Sequence, residues 1–214
     1  AAIQLRTQAI DAMLADEDLH VLLDLMQRLY HDSAQRGVTE FIDQQVVSLY
    51  DMYREAPDAQ VWSQLAVPQQ LDKDNLATAC DLLSALLPDA EKKYGKPFAK
   101  SLLKAQDQAE HSDWTGLIKD GLCGKLAAGE STFSRKPIPD EVIAALHPLV
   151  IHAKAYLIGE VARRTKAMHS LIQRFDKHYT QLREQHHLLL YADLPHRLAQ
   201  RMNMDDALRL QVYY

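Results

Sequence analysis

Cysteine is nearly absent from this chain. Cys80 and Cys123 are the only two in 214 residues, and no C-x-x-C pair occurs, which argues against a disulfide framework or a cysteine-ligated zinc site. Glycine and proline are also scarce, at 7 and 8. A β-sandwich or barrel needs many turns, and disordered or low-complexity chains are rich in both residues, so neither class fits. No convincing alternation of β-branched residues marks a strand, and no internal repeat is present. No uninterrupted apolar run approaches the roughly 18 residues of a membrane span. Ala1-Ala2-Ile3-Gln4-Leu5 lacks signal-peptide character. The expectation is a cytoplasmic protein with no membrane contact, and a piece of a longer chain.

What the chain does contain is amphipathic helix. Apolar residues make up 47% and charged residues 25%, the balance of a globular domain with a core of its own. The net charge of −5 is unevenly spread. Residues 1–91 carry 5 basic and 16 acidic side chains, residues 92–138 carry 9 and 5, and residues 139–214 carry 10 and 8. Seven of the ten histidines lie beyond residue 139. A nucleic-acid surface needs such local basic enrichment, and an ordinary solvated face produces it equally well.

Helical spacing recurs along the chain. Leu5, Ile10, Met13, Leu14, Leu19, Leu22, Leu23, Met26 and Leu29 form a stripe over residues 3–32, with a break near Asp16–Asp18. A second helix begins near Thr39 and turns Phe41, Ile42, Val46, Val47, Leu49, Tyr50 and Tyr53 inward. Pro57 opens a short helix through Val61, Trp62 and Leu65. Asp72 or Asp74 caps the next, with Leu76, Ala79, Leu82, Leu83 and Leu86 inward and Pro88 as its stop. Gly95 and Pro97 punctuate the start of another helix, in which Phe98, Leu102 and Leu103 are apolar. Asp113 caps a short turn through Trp114 and Leu117, and residues 121–139 read as the irregular part. Pro139-Asp140-Glu141 then begins a long helix, kinked or divided by Pro148. On it Val161, Met168, Leu171, Ile172, Phe175, Tyr179 and Leu182 share one side at about 100° per residue. The fold class is therefore all-α: an irregular multi-helix assembly with one long helix in the C-terminal half.

Catalytic constellations are missing. Gly121-Leu122-Cys123-Gly124-Lys125-Leu126 has glycines and a lysine but not the spacing of a phosphate-binding loop, and Leu126 stands where a magnesium-binding hydroxyl is required. No H-x-x-x-H or H-E-x-x-H pattern occurs. His186-His187 point about 100° apart, and His169 and His178 lie on different sides of the long helix, so these histidines read as surface or interface residues. What remains is a basic row. Arg163, Lys166, Arg174 and Lys177, with Ser170 and Gln181, line the side of the long helix opposite its apolar stripe, spaced to meet successive phosphates. Lys119, Lys125, Arg135 and Lys136 form a second basic group. Phe133 beside them reads first as core and second as a base-stacking residue. Trp62 and Trp114 read as core.

One resemblance adds to this. Phe175, Tyr179 and the run into Leu190-Tyr191-Ala192-Asp193-Leu194 resemble the UvrD/Rep-like superfamily 1 DNA helicases, in which a long helix with a similar F…Y pattern runs into D-F-D-D-L. Only Asp193 and Leu194 of that motif are kept; Leu190 and Ala192 occupy its first two aspartate positions. The order Trp114, Leu117, Lys125-Leu126, Gly129, Phe133, Arg135-Lys136, Ile138-Pro139 is similar to the helical 1B insertion of RecB and AddA-type helicase-nucleases, the exonuclease V group. The resemblance implies that residues 1–190 are a 1B-like subdomain and residues 191–214 lead back into the first RecA-like motor domain. It also implies a parent ATP-dependent DNA helicase and exonuclease acting in recombination and break repair. ATP and magnesium would act on motifs outside this chain, DNA would be the ligand, and a second subunit a possible partner. A protein-docking helical module without DNA affinity is the alternative.

Overall fold

The computed structural model describes residues 2–16 and 37–187, and across them the chain is all-α but for one small hairpin. The helices are α1 (Ala2–Asp16), α2 (Val38–Glu55), α3 (Ala59–Trp62), α4 (Lys73–Tyr94), α5 (Lys96–Glu110), α6 (Trp114–Lys119), α7 (Gly121–Ala127) and α8 (Asp140–Gln185). Strands β1 (Thr132–Phe133) and β2 (Lys136–Pro137) pair antiparallel between α7 and α8. The chain forms two compact units. The first comprises Ala1–Gln64 and Arg163–Tyr214, the second Leu65–Ala162. The 46 residues of α8 therefore contribute to both.

In the first unit α1, α2 and the later part of α8 share a core. Leu5, Ile10 and Met13 meet Ile42, Val46 and Tyr53, and Leu171, Ile172 and Phe175 complete the cluster. Each such side chain contributes roughly 1.5–3 kcal/mol of burial. Arg6 on α1 is ion-paired with Asp43 on α2. Asp58 caps α3 by accepting a hydrogen bond from the Gln60 amide at 2.8 Å.

In the second unit α4 and α5 pack on the early part of α8, and α6, α7 and the hairpin close the same core. Leu83, Phe98, Leu102, Leu117, Leu122, Leu146 and Leu149 are fully buried there. Asp72 caps α4 through the Asn75 amide, and Asp113 caps α6 through the Gly116 amide. Gly95 separates α4 from α5 at φ +96°, a conformation that side-chain-bearing residues rarely adopt.

Several expectations are corrected. Pro88 does not stop α4, which runs six residues further to Tyr94. Ala90 and Tyr94 are buried in the same core as Leu83, and their burial offsets the roughly 3 kcal/mol of a helix-interior proline. Pro148 likewise does not divide α8. Residues 121–139 are ordered as α7 and the hairpin. The short helix after Pro57 ends at Trp62, leaving Leu65 exposed, and Trp62 is half-buried. Val47, Leu82 and Val161, assigned inward by periodicity, are exposed, as is the apolar Leu103, by 62%.

By length and composition, α8 is apolar enough to cross a membrane: an 18-residue window averages a hydropathy of 1.5, with half of it buried inside the protein. Isolated polar residues such as His152 and Lys154 broke the apolar run in sequence without lowering the average enough to exclude it. Val142, Leu146, Leu149, Val150 and Ala153 from this part of α8 belong to the second unit's core. The later part of the expected 3–32 helix, the Leu190–Leu194 motif with Tyr191 and Asp193, and the boundary at residue 191 lie outside the described residues.

Candidate nucleic-acid interface

The basic row lies on one continuous helix, with α8 holding its members at fixed spacing in the first unit. Arg163, Lys166 and Lys177 are exposed and Arg174 is half-buried, while Leu171, Ile172, Phe175 and Tyr179 occupy the buried side. Ser170, on the same side as the cations, bonds its hydroxyl back to the Lys166 carbonyl at 3.1 Å, and Gln181 is exposed. Arg163 and Arg174 also have interaction partners within the chain. At 1.5 Å per residue the row from Arg163 to Lys177 is about 21 Å long.

The second basic group is less uniform. Lys125 is on α7, and its ammonium contacts both carboxylate oxygens of Glu130 at 3.0 and 2.9 Å, so its charge is locally balanced. Lys119 is exposed at the end of α6. Arg135 and Lys136 are exposed at the hairpin, where Thr132 pairs with Pro137 and Phe133 with Lys136. A two-residue turn, Ser134-Arg135, joins the strands with φ of +48° and +64°. This is the geometry that favours Asn-Gly, because it matches the strand twist. Here two ordinary residues take it. Phe133 is half-buried and stands edge-on to Phe98, ring centroids 5.2 Å apart, so it anchors the hairpin to the core rather than offering a free stacking face.

Periodicity missed the polar interior. His152, His169 and His178 are buried, contrary to the reading of His169 and His178 as surface or interface residues. The Nε2 of His169 bonds the Pro57 carbonyl at 2.9 Å, and its ring lies against Tyr53 and Trp62. His178 Nε2 is 3.7 Å from the Asp16 carboxylate. His152 Nδ1 accepts a hydrogen bond from the Leu71 amide at 3.1 Å. Arg183, also buried, places its guanidinium over the Tyr179 ring. Tyr50 donates to Asp176, and burial, then that hydrogen bond, drive its hydroxyl far above the usual tyrosine range. Such pairings leave only a faint trace in sequence, namely aromatic and histidine residues inside otherwise apolar stripes. Burial also pushes the Cys123 thiol up to about 12.

Among the described residues no group of three or more histidine, cysteine, aspartate or glutamate side chains is arranged to hold a metal ion. The arrangement offers a rigid row of cations on α8 and a basic hairpin tip, both suited to contacting a polyanion's backbone. Compared with known proteins, the chain matches no family model, no curated protein and no solved structure.

Proposed function

We propose that this chain is a DNA-contacting helical subdomain of an ATP-dependent helicase-nuclease similar to the RecB and AddA type. Its task in that reading is to hold DNA, duplex or single strand, beside a motor whose ATP and magnesium sites lie elsewhere in the parent. The observation that supports this most is the side of α8 occupied by Arg163, Lys166, Arg174 and Lys177. A row about 21 Å long runs beside about six nucleotides of one strand at 3.4 Å each. Because a helix carries it, the spacing of the cations is set before DNA arrives. Arg135 and Lys136 on the hairpin, with Lys125 on α7, are the second set of candidate phosphate contacts.

A second reading, a protein-docking module without DNA affinity, is favoured by one observation on α2. Val47 and Met52 are exposed there beside Asp51 and Glu55, an apolar and acidic surface suited to a basic partner subunit.

Binding of the chain to fluorescent single-stranded and forked DNA across a salt series separates the two. The first reading expects salt-sensitive binding. Charge reversal at Arg163, Lys166, Arg174 and Lys177 should weaken binding and flatten the salt dependence by up to about 3.6 in log–log slope on duplex, about 0.9 per lost phosphate contact. Full binding by the variant removes α8 from the DNA path. No binding by the parent sequence at low salt favours docking.

A further inference from the structure

Residues 65–72 join α3 to α4 without regular structure and are mostly exposed. They nonetheless lie on α8 at two places. A Cβ added to the buried Gly159 would sit in ordinary van der Waals contact with Val67 Cγ1 at 3.5 Å and Gln70 Nε2 at 3.6 Å, so the side chains of Val67 and Gln70 lie over this point of α8. Seven residues earlier on α8, His152 Nδ1 accepts the Leu71 amide at 3.1 Å. Among the described residues this is the one hydrogen bond that residues 65–71 make. All of these groups belong to the second unit.

An imidazole nitrogen that accepts carries no proton. Neutral His152 therefore holds its single ring proton on Nε2. Protonation places an N–H at Nδ1, pointing at the Leu71 N–H, and turns the tether into a donor facing a donor. We propose that residues 65–72 are a strap that His152 holds in its neutral form and releases on protonation.

The surroundings of His152 do not oppose this. From α6 the Trp114 ring meets it edge-on, centroids 4.6 Å apart, and brings no charge. Asp113, beside Trp114, is occupied in capping α6, and Asp72, beside Leu71, in capping α4. On α8 itself His147 and Lys154 are exposed, and Lys154 donates to the Ala127 carbonyl; Tyr156, one turn on, is half-buried. Among the described residues no carboxylate is paired with His152, and burial lowers its proton affinity.

Other histidines are held differently. His169 Nε2 faces the Pro57 carbonyl, and His178 Nε2 lies 3.7 Å from the Asp16 carboxylate. His111 is exposed, and its bond to the Asp107 carbonyl holds its proton affinity up. The folded value of His152 lies below the ordinary 6.5, so its contribution is complete above pH 6.5 and is lost as pH falls from there through the folded value.

Amide exchange at Leu71, corrected for the intrinsic pH dependence, tests this by NMR. Between about pH 7 and about pH 5 it should accelerate by about tenfold for each unit over which the proton is taken up. Amides in the centre of α4 and α5 should stay protected. In His152→Gln, which lacks a titrating ring, the acceleration should vanish. A pH-independent Leu71 in the parent protein, an unchanged response in His152→Gln, or joint loss of protection in α4 and α5 each overturns the proposal. Should His152→Gln fail to fold, the ring-nitrogen shifts of His152 in the parent protein decide instead. A midpoint coinciding with that of Leu71 exchange supports the strap, and a separate midpoint overturns it.

Discussion

The Tyr50 hydroxyl on α2 donates a 2.5 Å hydrogen bond to the Asp176 carboxylate on α8, across 126 residues of sequence. The Tyr50 ring stands edge-on to both Phe175 and Tyr179, one turn apart on the same helix. One side chain thus combines an apolar contact with a charge-assisted hydrogen bond and fixes α2 on α8 within the first unit. Tyr50→Phe keeps the ring and leaves Asp176 without this donor, which should cost about 1.5–3 kcal/mol in urea unfolding.

Alkali adds a signature to the same pair. The Tyr50 hydroxyl is held well above its ordinary 10.0 in the folded state, so its contribution is complete below pH 10 and is lost as pH rises beyond it. Unfolding followed against pH should therefore be steeper above pH 10 in the parent protein than in Tyr50→Phe. Equal slopes would show that the pair carries no linked proton.

Leu102 and Leu103 are neighbours on α5 with opposite environments, 0% and 62% exposed. Leu102→Ala should lose about 2–5 kcal/mol through lost burial and a residual cavity. Leu103→Ala should stay within about 0.5 kcal/mol. Thermal unfolding of the two variants side by side checks the register of α5 directly.

The hairpin turn stores strain at Ser134 and Arg135. Replacing them together by Asn and Gly supplies the residues this turn favours. Stability of the second unit should rise by about 0.5–2 kcal/mol, read as a higher denaturant midpoint. If Arg135 contacts DNA, the same variant should also bind more weakly, so a gain in stability would accompany a loss in affinity.

Thiol chemistry separates the two cysteines. Cys123 is buried and its thiol is pushed up to about 12, while Cys80 is half-buried and raised first by burial and then by Asp81 and Glu110. At mildly alkaline pH a thiol reagent should modify Cys80 slowly and Cys123 only at the rate of unfolding, because the thiolate is the reactive form. Peptide mapping after timed labelling distinguishes them.

Periodicity was sufficient for most of the helices, because an apolar residue every three or four positions gives a stripe that must be covered. Asp72 and Asp113 were legible as caps and Gly95 as a break for similarly local reasons: each acts on backbone groups within a turn of itself. The basic row on α8 was legible too, since helical geometry alone places Arg163, Lys166, Arg174 and Lys177 on one side.

What sequence could not decide depends on partners far along the chain. Pro88 and Pro148 look like stops until the cores on either side of each are counted; those cores keep α4 and α8 continuous. Val47 and Leu103 each sit about 100° round their helix from a buried neighbour, Val46 and Leu102, and are exposed, as are Leu82 and Val161. The hairpin escaped notice because two-residue strands are too short to show alternation, and its turn lacks glycine. The roles of His152, His169 and Tyr50 are set by Leu71, Pro57 and Asp176, each more than 80 residues away. Local pattern determined where the helices form. Tertiary packing decided which of their polar residues are buried, because burial and hydrogen bonding of a side chain depend on what the rest of the chain brings against it.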